Sequence, residues 1–216
     1  MNVIELFSSI DGEGKRQGFL TTFLRLHDCN IRCSYCDTLY SYGPESTFES
    51  MSVQAVADEI EQLGNHRITI TGGEPLLQEL AVIELIDELT RRNHRYDFNI
   101  ETNGTIIPSF DRDNVWFTYD YKTPSSLAED AMNLDIFKVA TSEDIIKFVV
   151  GSIRDLDRMD EILKTYPTKA QIFVSPVWGN IEGSTIVDYM KAHDWQNVRF
   201  QLQIHKFIWD PDAKGV

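Results

Sequence analysis

Residues 53 to 92 read VQAVADEIEQLGNHRITITGGEPLLQELAVIELIDELTRR, and the periodicity changes twice within them. Val53, Val56, Ala57, Ile60 and Leu63 recur at helical spacing, with Ser52 placed to cap the start and Gly64 to stop the helix. RITIT, 67 to 71, is a short strand. A second helix follows over 79 to 92 with Leu80, Ile83, Ile86 and Leu89 along one stripe. Helix, strand and helix in that order predict an α/β fold.

Outward from there, FLTTFLRL at 19 to 26 alternates as a strand. Phe19, Thr21, Phe23 and Arg25 fall on one face, and Leu20, Thr22, Leu24 and Leu26 on the other. Further strands are expected at 96 to 101, 115 to 119, 145 to 150, 171 to 175 and 198 to 204, with helices near 155 to 165 and 184 to 192. The stretches 102 to 114 and 120 to 144 give weaker helical signals. The βαβα order implies parallel strands joined by right-handed crossovers. A chain of 216 residues is shorter than the ~250 usual for a full eightfold barrel. The expectation is therefore one domain over 1 to 216, an α/β fold built as a partial, helix-depleted (βα)6-type barrel with its sites at the carboxyl ends of the strands.

Acidic residues number 34 against 20 basic ones, a formal net charge of -14, so the mean surface field repels phosphate backbones and nucleic acid is not expected as a partner. No apolar run approaches the roughly 20 residues that span a bilayer, so no membrane partner is expected either. The opening MNVIELFSSIDGEG lacks a basic start and a long apolar stretch, which predicts a cytoplasmic protein. All three cysteines fall in one short segment, CNIRCSYCDT at 29 to 38. An odd, clustered set in a reducing compartment points to metal or redox chemistry rather than disulfides.

Cys29, Cys33 and Cys36 are spaced CxxxCxxC on a loop leaving the 19 to 26 strand. Iron-sulfur cubes normally take four cysteines, so three with no fourth leave one iron open to an outside ligand. The competing reading is a zinc knuckle completed by His27 or Asp37. TGGEP, Thr71 to Pro75, follows the strand RITIT where backbone amides must face a ligand, and its glycines permit close approach. By itself GGEP is a common turn; combined with the upstream cysteines it becomes specific.

Taken together, the two motifs resemble the radical S-adenosylmethionine (SAM) superfamily. Within it, DGEG near the start, Arg25 four residues before the first cysteine, CDT at the third cysteine and ETNGT at 101 to 105 are similar to the 7-carboxy-7-deazaguanine synthase family. The likeness spans most of the chain and is weakest between 125 and 195. It implies a radical SAM barrel, and conversion of 6-carboxy-5,6,7,8-tetrahydropterin to 7-carboxy-7-deazaguanine with loss of ammonia, on the way to queuosine and related bases. It also implies a [4Fe-4S] cluster, SAM and Mg2+, a small-molecule pterin substrate, a reductant such as flavodoxin or ferredoxin, and a homodimer.

The resemblance implies residue roles as well. Cys29, Cys33 and Cys36 would hold the cluster and Thr38 would give Mg2+ a hydroxyl oxygen. Gly73 and Glu74 would contact SAM, together with Asp120, Tyr121 and Lys122 at a position where relatives have SerProLys, and with the turn Ser175, Pro176, Val177 and Trp178. The substrate would meet Ile10, Asp11, Gly12, Glu13, Arg25 and Thr71, with Asp11 standing where the family usually has Gln. An amide both donates and accepts whereas a carboxylate only accepts, so Asp11 would meet the pterin differently. Arg25 shares a face with Phe19, Thr21 and Phe23 and needs an anion: a substrate carboxylate, or else Glu13 or Glu101. Glu101 and Asn103 are further candidates at a strand end. His205 and Lys206 open a terminal stretch that either folds back toward the substrate or frays. Two other functions fit the cysteine loop: activation of a glycyl-radical enzyme, and non-catalytic electron transfer.

Overall fold

The computed structural model describes every residue except Asp212, a member of the terminal stretch read above, which lies outside the described residues. Among the described residues the strands are β1 (Asn2–Ile10), β2 (Leu20–Leu26), β3 (Glu49–Ser50), β4 (Arg67–Gly72), β5 (Asp97–Thr102), β6 (Val115–Lys122), β7 (Ile145–Val150), β8 (Gln171–Pro176) and β9 (Val198–Phe200). They form one sheet in the order β3-β1-β2-β4-β5-β6-β7-β8-β9. From β2 to β9 every pair is parallel, as the βαβα order requires. β1 runs antiparallel to both β2 and β3, and the sheet does not close into a barrel.

The helices α1 (Val53–Leu63), α2 (Glu79–Arg92), α4 (Ile153–Thr165) and α5 (Gly183–Ala192) match the periodicities, while α3 (Ile136–Val139) and α6 (His205–Ile208) are single turns. Ser52 Oγ accepts the Ala55 N–H at 3.1 Å, and Gly64 ends α1 in the left-handed region at φ 79°. The buried stripe of α2 is Val82, Leu85, Ile86 and Leu89, and Leu80 is 77% exposed, so the stripe expected through Leu80 is displaced around the helix. No helix forms over 103 to 114, and 120 to 144 holds the end of β6, 3-10 turns and α3. Asn103-Gly104, Pro108 and Pro124 punctuate those stretches and break the helical pattern. The last strand stops at Phe200 rather than 204.

Alternation along the strands sorts the chemistry. Ile68, Ile70, Phe98, Ile100, Phe117, Tyr119, Tyr121, Ile146, Phe148, Val150, Ile172 and Val174 belong to the apolar core that the helices cover. Their neighbours, one step along each strand, point to the opposite, concave face. There the register sets Arg25 beside Thr71, Glu101 beside Thr118, and Asp120 beside Lys147. That face is the floor of a cavity.

Candidate active site

The cysteine loop leaves the end of β2 and is fastened on three sides. Asp28, at φ 79°, accepts the Cys29 N–H on its own carboxylate at 2.8 Å, and its N–H donates to the Ser41 carbonyl at 2.8 Å. The Asp28 carbonyl accepts the Glu74 N–H at 2.8 Å, and the Ser34 N–H reaches the Ser126 carbonyl at 2.9 Å. The β4 turn presses directly on this loop: a Cβ on Gly73 would stand 1.9 Å from the Asp28 carbonyl oxygen and 2.9 Å from Cys29 Cβ. Glycine at 73 is thus needed for contact between two loops of the chain as well as for ligand approach.

Cys29, Cys33 and Cys36 are free, half-buried thiols lining one cavity of about 450 Å3. Burial pushes Cys29 and Cys33 up from the ordinary thiol range; hydrogen bonds from the Ile31 backbone and then from Asn103 pull Cys29 back, and the Lys122 charge does the same for Cys33. Among the described residues no three His, Cys, Asp or Glu side chains converge on a single metal ion. His27 packs at a tilt on Phe48 with centroids 4.3 Å apart, and Asp37 pairs with Lys206 at 3.4 Å, so neither is placed as the fourth corner of a zinc knuckle. A cube places each thiolate on a different iron, and three partly exposed thiols around an open cavity fit that demand.

Ile10, Asp11, Gly12, Glu13, Arg25, Thr38, Thr71, Gly73, Asp120, Lys122, Val177 and Trp178 line the same cavity. Glu74, Tyr121, Ser175 and Pro176 do not. The Glu74 carboxylate is fully buried and consumed by the protein: it accepts the Asn103 N–H at 2.7 Å, the Leu76 N–H at 2.9 Å and the Thr102 hydroxyl at 2.9 Å. Tyr121 points to the helix side because it alternates with Asp120 and Lys122; its ring packs on Phe148 and its hydroxyl donates to Glu129. Ser175 is wholly buried, and Pro176 is the residue that ends β8 against Val150.

Arg25 pairs with neither Glu13 nor Glu101. Glu5, on the neighbouring strand, engages its Nε at 2.6 Å and also accepts the Tyr40 hydroxyl at 2.7 Å. Among the described residues no hydrogen bond engages the two terminal nitrogens of this cavity-lining guanidinium, which are left for a ligand. Glu13 instead meets Lys147 at 2.9 Å, a residue the sequence reading missed because IIKFVV reads as a buried apolar strand. Lys147 also reaches Asp120 Oδ2 at 3.8 Å, which Lys122 approaches at 3.0 Å. Burial opposes the charges of Lys147 and Lys122, but the carboxylates around them outweigh it and hold both ammonium groups protonated. Glu13 Oε1 and Asp120 Oδ1 are buried with no hydrogen-bond partner among the described residues, two acceptors that a donor-bearing ligand would satisfy.

Asp11 lies deeper, 2% exposed. Its Oδ2 accepts the Thr69 and Thr21 hydroxyls at 3.2 and 3.3 Å and faces Arg16 Nε at 3.5 Å. Burial first, and the nearby Glu101 second, raise its pKa from 3.8 to about 7 despite these partners. A carboxyl whose folded pKa lies above its unfolded one favours folding most when protonated, so its contribution to stability declines as pH rises from 3.8 toward about 7. In Asp11→Asn the stability difference between about pH 5.5 and about pH 8, read by urea unfolding, should shrink by on the order of 1–3 kcal/mol. An unchanged difference would mean that Asp11 titrates in the ordinary carboxylate range.

The terminal segment is docked rather than frayed. Gln201 bonds Gly14 through both ends of its amide, at 2.8 and 3.0 Å, and the Ile204 N–H donates to the Gly12 carbonyl at 3.1 Å. His205 sits so close that a Cβ on Gly12 would be 2.0 Å from its Nδ1, and His205, Lys206 and residues 213 to 216 line the cavity.

The profile of the radical SAM superfamily matches residues 25 to 150. A 7-carboxy-7-deazaguanine synthase of Clostridium acetobutylicum is 39% identical over 99% of this chain and 98% of its own. One from Methanospirillum hungatei is 38% identical over 98% and 86%. The crystal structure of QueE from Escherichia coli has the same fold, with a TM-score of 0.68 at 24% identity over 93% of this chain and 92% of that one. With its three thiols and its glycine turn meeting at the ends of adjacent parallel strands, the chain belongs to the radical SAM superfamily and, within it, to the 7-carboxy-7-deazaguanine synthase family.

Proposed function

We propose that this chain converts 6-carboxy-5,6,7,8-tetrahydropterin to 7-carboxy-7-deazaguanine with release of ammonia, as a lyase of 7-deazapurine biosynthesis. The observation that carries the reading is that Cys29, Cys33 and Cys36 open onto the same cavity as Arg25, in a chain whose relatives bear that activity as their name. A cavity of about 450 Å3 is in the range used by small ligands. When bound, the [4Fe-4S] cluster with SAM supplies the electron and the carbon radical that begin the rearrangement.

The chain's own residues bind and orient. Arg25 offers its terminal nitrogens to the substrate carboxylate while Glu5 fixes the other edge of the guanidinium. Glu13 Oε1 and Asp120 Oδ1 accept ligand N–H or O–H groups, with the Lys147 ammonium lying between the two carboxylates. Thr38 lines the cavity beside Cys36, its hydroxyl 3.6 Å from that sulfur, and would give Mg2+ one oxygen. The rest of the Mg2+ shell would come from substrate and water, in keeping with a cation that takes few protein ligands. The reductant we expect is a flavodoxin or ferredoxin, the assembly a homodimer and the compartment the cytoplasm. Among the described residues no helix is long and apolar enough to cross a membrane.

Anaerobically reconstituted protein given SAM, reductant, Mg2+ and 6-carboxytetrahydropterin should form the deazaguanine acid, detected by mass spectrometry. SAM cleavage without pterin turnover would refute this substrate and favour activation of a protein; no SAM cleavage at all would favour electron transfer. Arg25→Lys should raise the pterin KM about 10- to 100-fold, because a point ammonium cannot replace charge-assisted bonds worth about 1.5–3 kcal/mol each. SAM affinity should stay near wild type. Equal losses for both ligands would make Arg25 a structural partner of Glu5.

A further inference from the structure

The turn after β5 grips the cysteine loop through a closed ring of hydrogen bonds. Asn103 Nδ2 donates to Asn30 Oδ1 at 2.8 Å, Asn30 Nδ2 donates to Thr105 Oγ1 at 2.7 Å, and Thr105 Oγ1 donates to Asn103 Oδ1 at 2.7 Å. The backbone N–H of Thr105 also donates to Asn103 Oδ1, at 3.1 Å. A backbone N–H can only donate, so this bond fixes which end of the Asn103 amide is oxygen. Its nitrogen then faces Cys29 Sγ at 3.7 Å. Asn103 is 6% exposed, and its own backbone is held from beneath by Glu74. The amide therefore reaches the sulfur in a fixed orientation and largely shielded from water.

Resting on the reading of Cys29 as a cluster ligand, we propose that Asn103 is a positioning residue that donates a hydrogen bond to the Cys29 thiolate and thereby sets how readily the cluster accepts an electron. Reduction adds negative charge that spreads onto the ligand sulfurs, and an N–H aimed at one of them stabilises the reduced form more than the oxidised one. The donor itself is buried, so water competes for it less than for an exposed amide. The same ring ties the sulfur's loop to the strand end, so the donor and its acceptor move together.

Asn103→Asp is nearly isosteric and keeps the oxygen Thr105 needs, while turning the sulfur's donor into a second acceptor. In reconstituted protein, a redox titration followed by electron paramagnetic resonance should show its reduction equilibrium at least tenfold less favourable than wild type, about 59 mV for one electron. Asn30→Ala opens the ring but keeps the donor, and its equilibrium should stay near wild type. A fully loaded Asn103→Asp protein with an unshifted potential overturns the proposal, as do equal shifts in both variants, which would reflect loop displacement alone. If Asn103→Asp holds no cluster, wild-type protein labelled with nitrogen-15 at asparagine side-chain amides decides. A hyperfine coupling between the reduced cluster and that nitrogen supports the proposal, and its absence overturns it. Wild-type protein that takes up no iron sinks the cluster reading along with the proposal, and iron content alone tells that failure apart.

Discussion

Alanine at Cys29, Cys33 or Cys36 is expected to remove the iron-sulfur absorption and bring SAM cleavage to background in each case. A cube normally relies on four thiolates, and with three already supplied by protein there is none to spare. The chain has no other cysteine to substitute. Nor do the neighbours stand ready: the His27 ring packs at a tilt against Phe48, and Asp37 is engaged by Lys206. The cysteine loop is held by hydrogen bonds to Ser41, Glu74 and Ser126 that do not involve the thiols, so the fold should survive, and circular dichroism should match wild type. Iron content after anaerobic reconstitution is the decisive measurement. A variant that keeps its full iron and still cleaves SAM would show that the missing thiol is not a ligand.

Gly73→Ala should come close to the same loss although glycine ligates nothing. The added methyl would lie 1.9 Å from the Asp28 carbonyl oxygen and 2.4 Å from its carbon, against backbone that the Ser41 carbonyl, the Glu74 N–H and the Cys29 N–H already hold. The loop bearing Cys29 must therefore move by about 1 Å or more, a displacement that can cost on the order of a hundredfold in rate. Iron uptake should fall as well, because Cys29 moves with Asp28. Gly64→Ala is the useful comparison. Nothing lies within 4 Å of its new methyl, but φ is 79°, so it should cost about 1 kcal/mol of stability and leave the cluster untouched. Normal iron and activity in Gly73→Ala would mean that the turn and the cysteine loop are less tightly apposed in solution.

Much of this architecture is written in local patterns. α1 falls where Val53 to Leu63 repeat, with the Ser52 cap and the Gly64 stop in place, because cap chemistry and apolar spacing agree there. β1 escaped because NVIELFSSI buries little more than Val3 and Ser9; it is a strand through its antiparallel pairing with β2, which no local pattern encodes. Lys147 was hidden by the apolar residues around it, since a lone lysine in IIKFVV is legible only once Glu13 and Asp120 are known to lie across from it. Arg25 could be placed on the cavity face by alternation, but its partner, Glu5, belongs to the unrecognised strand. Motif reading likewise grouped Asp120, Tyr121 and Lys122 as one contact, whereas the pleat sends the middle residue to the other side of the sheet.

The alternation along β6 bears on how such a protein can change over generations. Val115, Phe117, Tyr119 and Tyr121 pack beneath the helices or against that core, while Trp116, Thr118, Asp120 and Lys122 face the opposite way. Substitutions of one parity are screened chiefly by whether the chain still folds, and those of the other chiefly by what it then binds. Two kinds of selection can act on one strand, and a mutant library confined to Thr118, Asp120 and Lys122, which line the cavity, would alter the ligand site while leaving the helix-covered core unchanged.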